Sequence, residues 1–182
     1  MPLSHPPIVE SQATGLAWRT LWPDETATQA FAMQLAEGLQ SWPGGRDASI
    51  ELRGDLGAGK TTLVRHLLRA AGVQGRIKSP TYAVVEPHQA GSGEAAWPIW
   101  HFDFYRFSDP REWEDAGFRD IFAGPGLKLM EWPDKVAGQL PAADWVIELN
   151  ALDEDQRQVR ITAQTPRGQM WLRAWQEAKR AV

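Results

Sequence analysis

The chain has 182 residues, a formal net charge of -4 at pH 7 and a hydrophobic content of 43%. That balance fits a globular domain with a sizeable core and excludes a molecule whose whole surface binds nucleic acid by charge. There is no cysteine, which excludes disulfide and thiolate chemistry, and no run approaches the ~18 apolar residues of a membrane-spanning helix.

In chain order, residues 1–15 are rich in proline and polar side chains and are expected to form a loose tail. They lack the basic start and apolar run of a signal peptide, so a cytoplasmic location is the expectation. Residues 16–182 are expected to be one domain. Residues 16–22 predict an opening strand, and Pro23, Asp24, Glu25 and Thr26 predict a helix start with acidic residues in its first turn. Ala27, Phe31, Leu35 and Leu39 then recur at i+4 spacing and mark the buried stripe of that helix.

Residues 49–53 alternate as a strand, and residues 62–69 carry apolar side chains at helical spacing. Between them, residues 54–61 read Gly-Asp-Leu-Gly-Ala-Gly-Lys-Thr, the phosphate-binding pattern G-x-x-x-x-G-K-[ST] in its required strand–loop–helix setting. In such a loop, backbone N–H groups converge on phosphates and the following helix adds its N-terminal dipole. Asp55, Leu56, Gly57, Ala58, Gly59, Lys60, Thr61 and Thr62 are therefore the candidate nucleotide contacts. Lys60 reaches the β/γ-phosphates, and the Thr61 hydroxyl is a ligand for magnesium. Lys60, Arg65, Arg69, Arg76 and Lys78 are close in sequence, either as a basic face near the nucleotide or as an ordinary solvated surface.

An apolar stretch through Val85, a Gly/Ser-rich turn at 89–94 and a strand over 98–104 predict a hairpin with a long loop. A helix is expected over 111–122 and a short strand over 127–130 ending at Glu131. Two further strands are expected at 145–149 and 159–163, followed by a helix from about residue 166, where Thr165-Pro166 supplies a cap and first turn. The order of elements predicts an α/β, P-loop NTPase-like fold, with a mostly parallel central sheet flanked by helices and an antiparallel hairpin portion.

Phosphate-loop chemistry also needs a carboxylate near the magnesium and a group that positions the attacking water. Glu131 and Asp103 are the candidates, because each lies in an apolar or aromatic strand where an unpaired carboxylate would be costly. Thr81 is either a candidate γ-phosphate sensor or part of a plain Pro-Thr turn. Arg106 either neutralises transition-state charge or pairs with Asp103 or Asp109.

Four segments recur together: 54–62, Lys-Ser-Pro-Thr-Tyr at 78–82, His-Phe-Asp-Phe-Tyr-Arg at 101–106 and Glu-Trp-Pro at 131–133. In this combination the chain resembles the TsaE (formerly YjeE) family of bacterial tRNA threonylcarbamoyladenosine synthesis over roughly residues 22–150. The resemblance implies an ATP-binding α/β protein that hydrolyses ATP slowly by itself and works with TsaD and TsaB. Those partners would modify the adenosine beside the anticodon, with tRNA met through them rather than directly. Carried over by position, the resemblance makes Lys60 a phosphate-holding catalytic residue, Thr61 and Glu131 magnesium (Mg2+) ligands, and Asp103 a support for hydrolysis or a third ligand. It places Glu25 and Thr26 near the nucleotide base and Trp132 beside the nucleotide or a partner. The rival reading is a small-molecule or nucleoside kinase, with Arg106, Arg111 and Arg119 as lid arginines.

Overall fold

The computed structural model describes residues 16–78, 80, 82–109 and 111–180. Thr81 and the expected tail at 1–15 lie outside the described residues. Seven strands form one sheet in the order β1-β7-β6-β2-β5-β4-β3. They are β1 (Ala17–Trp22), β2 (Ser49–Arg53), β3 (Val85–Ala90), β4 (Trp97–Asp103), β5 (Leu127–Glu131), β6 (Trp145–Ala151) and β7 (Arg157–Ala163). The helices are α1 (Glu25–Ser41), α2 (Lys60–Ala70), α3 (Glu112–Asp115), α4 (Arg119–Ala123) and α5 (Pro166–Arg180).

The expectation of a mostly parallel sheet needs correcting, because the sheet is mixed. β6, β2, β5 and β4 run parallel, while β7 is antiparallel to both β6 and β1, and β3 is antiparallel to β4. The cause is connection length. The short turn between β6 and β7 permits only a hairpin, whereas parallel neighbours need a crossover. The hairpin β3–β4 was expected, but its first strand begins at Val85 rather than ending there. Pro87 sits within it, which an edge strand tolerates because an outward-facing N–H is not needed.

Asp24 caps α1, its carboxylate accepting from Ala27 N at 2.9 Å, and the stripe Phe31, Leu35 and Leu39 is buried as expected. α1, α2 and α5 cover one face of the sheet. There Ile50, Leu52, Ile99, Leu129, Ile147 and Ile161 meet Leu63, Leu67, Trp171 and Trp175 in one apolar cluster. A second cluster on the other face gathers Phe102, Phe104, Trp113, Phe118 and Met130. None of the ten tryptophans is fully exposed: six are buried, and Trp18, Trp42, Trp100 and Trp132 are half-buried. Trp18 and Trp175 meet edge to face at 5.8 Å, and Trp42 stacks on Trp171 at 5.8 Å.

The helix expected over 111–122 is broken into α3 and α4. Gly117, at φ +69°, adopts a left-handed conformation that an α-helix cannot continue through. α5 begins as expected, with Thr165 Oγ1 accepting from Gly168 N at 3.1 Å. Among the described residues no helix is long and apolar enough to cross a membrane.

Candidate nucleotide site

The side-chain period of two along a strand builds the site from β4 and β5. Ile99, His101 and Asp103 project to the α2 side, and Phe102 to the other. On β5, Leu127, Leu129 and Glu131 share that α2 side and Met130 opposes them. Parallel pairing sets His101 beside Leu129 and Asp103 beside Glu131. Three polar side chains, His101, Asp103 and Glu131, are thus 0%, 5% and 2% exposed at the end of the sheet where the phosphate loop leaves β2.

Each has a partner. Thr61 Oγ1 donates to Glu131 Oε2 at 2.8 Å and lies 3.0 Å from Oε1. His101 Nε2 donates to Glu131 Oε1 at 2.8 Å, and Tyr105 N donates to Asp103 Oδ1 at 3.0 Å. Lys60 is buried, and its ammonium donates to Gly54 O at 2.6 Å and Asp55 O at 2.8 Å. It also lies 4.0 Å from the centre of the Trp132 ring, a cation–π contact. Burial pulls the Lys60 ammonium below its ordinary pKa, and the charges of Glu131, Asp103 and Asp55 oppose that pull. Trp132 itself holds φ at +58°, a strained backbone for a bulky residue, in the position that sets its ring over Lys60.

The loop depends on Gly54, where φ is +145° and a Cβ would lie 2.3 Å from Leu149 O on β6. Only glycine lets the loop leave β2 this close to its neighbour. Two adjoining clefts flank the start of α2 and share Gly59, Thr62 and Arg157. Lys60, Thr61, Asp103, Glu131 and Trp132 line one, with Leu56 and Gly57 at its edge. Glu25, Thr28, Ala58, Leu149, Glu154 and Asp155 line the other. Asp55 is exposed at the base of the loop, with its carbonyl turned to Lys60. Thr26 is exposed and lines neither of these two clefts; helical geometry puts Thr28 on the face of Glu25.

The donors suit a hard cation. A hydroxyl and two carboxylates are the oxygen ligands that magnesium takes. Among the described residues no three His, Asp or Glu side chains form a complete metal site. A partial set is what magnesium uses when waters and substrate phosphates complete its shell.

A family model described as threonylcarbamoyl adenosine biosynthesis protein TsaE matches residues 22–159. The chain belongs to the TsaE family. A Haemophilus influenzae protein named tRNA threonylcarbamoyladenosine biosynthesis protein TsaE is 42% identical over 146 residues, covering 80% of this chain and 89% of that protein. A Bacillus subtilis protein of the same name is 34% identical over 148 residues, covering 81% and 85% respectively. The crystal structure of Bacillus subtilis YdiB is similar with a TM-score of 0.67 at 28% identity, over 90% of this chain and 95% of that one. The TsaE match contains every residue lining the two clefts and stops before α5.

Sequence reasoning did not single out His101, the partner of Glu131, nor the cleft-lining Thr28, Tyr105, Leu149, Glu154, Asp155 and Arg157. His101 had a signal, since it stands two positions before Asp103 on the same strand and must share its face. Arg157 had none, because only the sheet order brings β7 back to the phosphate loop. The three arginines of the kinase reading line neither of these two clefts. Arg106 lies over the Tyr82 ring at 4.2 Å, Arg111 pairs with Asp109 at 2.6 Å, and Arg119 pairs with Glu114 at 2.7 Å.

Proposed function

We propose that this TsaE-family protein is a magnesium-dependent P-loop ATPase, slow by itself. In this reading it acts with TsaD and TsaB in threonylcarbamoylation of the adenosine beside the tRNA anticodon. The observation that carries this reading is the contact of the half-buried Thr61 hydroxyl with the buried Glu131 carboxylate, Thr61 being next in the chain to the buried Lys60. Charge divides the paired clefts in the same sense. Lys60 and the loop amides suit phosphates, whereas Glu25, Glu154 and Asp155 offer acceptors that suit the hydroxyls and amino group of a nucleoside.

Thr61 and Glu131 would hold the magnesium, with Asp103 beside them. The ion, when bound, neutralises charge on the β/γ-phosphate oxygens. Lys60 binds the same phosphates as a point charge. His101 keeps the Glu131 carboxylate oriented, and Asp103 is placed to accept a hydrogen bond from the attacking water. Tyr105 and Trp132 cover the phosphate end, with ring centres 5.0 Å apart, and limit water there. Among the described residues Lys60 is the one ammonium in these clefts, and Arg157 is committed to backbone carbonyls. A missing transition-state cation costs about 10³–10⁵ in rate, so stimulation by the partner complex is expected.

The test is a multi-turnover modification assay with unmodified tRNA, TsaD, TsaB, the activated threonylcarbamoyl donor and ATP. It compares the wild-type protein, Lys60→Ala and no addition. Modified nucleoside should accumulate only with wild type; equal product in all three would overturn the reading.

A further inference from the structure

Arg157 opens β7 and touches the phosphate loop across the sheet. Its Nε donates to Ala58 O at 3.0 Å, and its Nη1 donates to Asp153 O, Glu154 O and Gln156 O at 3.1, 3.1 and 3.0 Å. No carboxylate forms an ion pair with it among the described residues. Its hydrogen bonds go to four backbone carbonyls, three in the β6–β7 turn and one in the loop, while its charge also acts on the nearby Asp153 carboxylate. It also lines both clefts, at their junction.

Ala58 O belongs to the same peptide group as Gly59 N–H. That peptide is trans, and planarity sends the N–H opposite to the carbonyl, away from Arg157. Among the described residues Gly59 N–H has no acceptor. A peptide next to glycine can turn over at little steric cost, and a turned peptide would offer the phosphates a carbonyl oxygen in place of a donor. The guanidinium opposes that turn. A charge-assisted bond to the carbonyl also polarises the amide and strengthens its N–H as a donor.

We propose that Arg157 is a positioning residue of the phosphate loop, locking the Ala58–Gly59 peptide with its N–H toward the nucleotide phosphates while tying the β6–β7 turn to the loop. It acts through the loop and not on the reacting atoms. The inference rests on the reading of this loop as a nucleotide site.

The test is equilibrium binding of a fluorescent ADP to the full chain, with the melting temperature of each variant taken without nucleotide. Arg157→Ala should weaken ADP binding by about tenfold or more, the loss expected for a charge-assisted hydrogen bond. Its melting temperature should stay near that of wild type. Millimolar guanidinium should recover part of the affinity of Arg157→Ala and change neither wild type nor Lys60→Ala. Arg157→Gln, which keeps a donor without the charge, should fall between wild type and alanine, and it decides the matter if Arg157→Ala does not fold. Affinity of either Arg157 variant within twofold of wild type overturns the proposal, as does a loss that tracks a lowered melting temperature without guanidinium rescue. ADP binding by wild type, lost in Lys60→Ala but intact in Arg157→Ala, overturns the role of Arg157 alone. No binding by wild type removes the nucleotide reading and this proposal together.

Discussion

Asp103 and Glu131 face each other across the parallel pairing of β4 with β5, each as the last residue of its strand. Ligand sites in α/β sheets lie outside the carboxyl ends of parallel strands, and here both carboxylates occupy that edge beside the loop that leaves β2. The adjacent Lys60 ammonium supplies the countercharge that lets two acids share a buried place.

Glu131→Gln keeps the shape of the side chain and removes its charge. Fluorescent ADP should bind this variant in EDTA as it binds wild type, and the gain on adding magnesium should disappear. A full magnesium-dependent gain in the variant would rule out Glu131 as the metal-holding acid.

His101 donates to Glu131 with both side chains almost fully buried. His101→Ala deletes that donor and leaves a cavity, so urea unfolding should register a loss of about 2–4 kcal/mol. His101→Gln should recover part of it. An alanine variant as stable as wild type would mean that the pair carries no structural weight.

Asp144, 2% exposed, gathers the Ser49 N–H, the Thr165 hydroxyl and the Arg167 guanidinium, which donates to Oδ1 at 2.8 Å and Oδ2 at 2.6 Å. Asp144→Ala strands those donors and should cost about 3–5 kcal/mol. At ~2–4 °C per kcal/mol for a domain of this size, melting should fall by roughly 10 °C. Asp144 holds the first residue of β2, whereas the phosphate loop leaves the opposite end of that strand, so residual folded protein should bind ADP normally.

Gly54→Ala sets a methyl group where Leu149 O already lies 2.3 Å away, at a φ of +145°. The loop must shift, and ADP affinity should drop below detection even in fractions that remain folded by circular dichroism. Wild-type affinity in this variant would show that the loop has slack the geometry denies.

The phosphate loop, the capped helices α1 and α5 and the strand-end acids were legible in the sequence because each depends on neighbours a few residues away. Asp24 reaches Ala27, Thr165 reaches Gly168, and the loop is written in consecutive residues. The split of α3 from α4 lay in one glycine, whose left-handed backbone no periodicity count registers. The sheet order was not legible, since pairing of β1 with β7 is decided by which edge the finished layer leaves open. Arg157 was lost with it: its place beside Ala58 exists only once β7, β6 and β2 lie side by side.

The pairing of β1 with β7 also sets a timetable for biosynthesis. β1 leaves the ribosome early, carrying Trp18 and Trp22, but its partner strand is made only after every other strand of the sheet. Until then β1 lacks its hydrogen-bonded neighbour, and Trp18 lacks the cover of Trp175 from α5. So distant a closure is slow in entropy terms and leaves sticky surface open meanwhile. The nascent chain is therefore expected to be a client of chaperones, completing its core only after β7 and α5 have emerged.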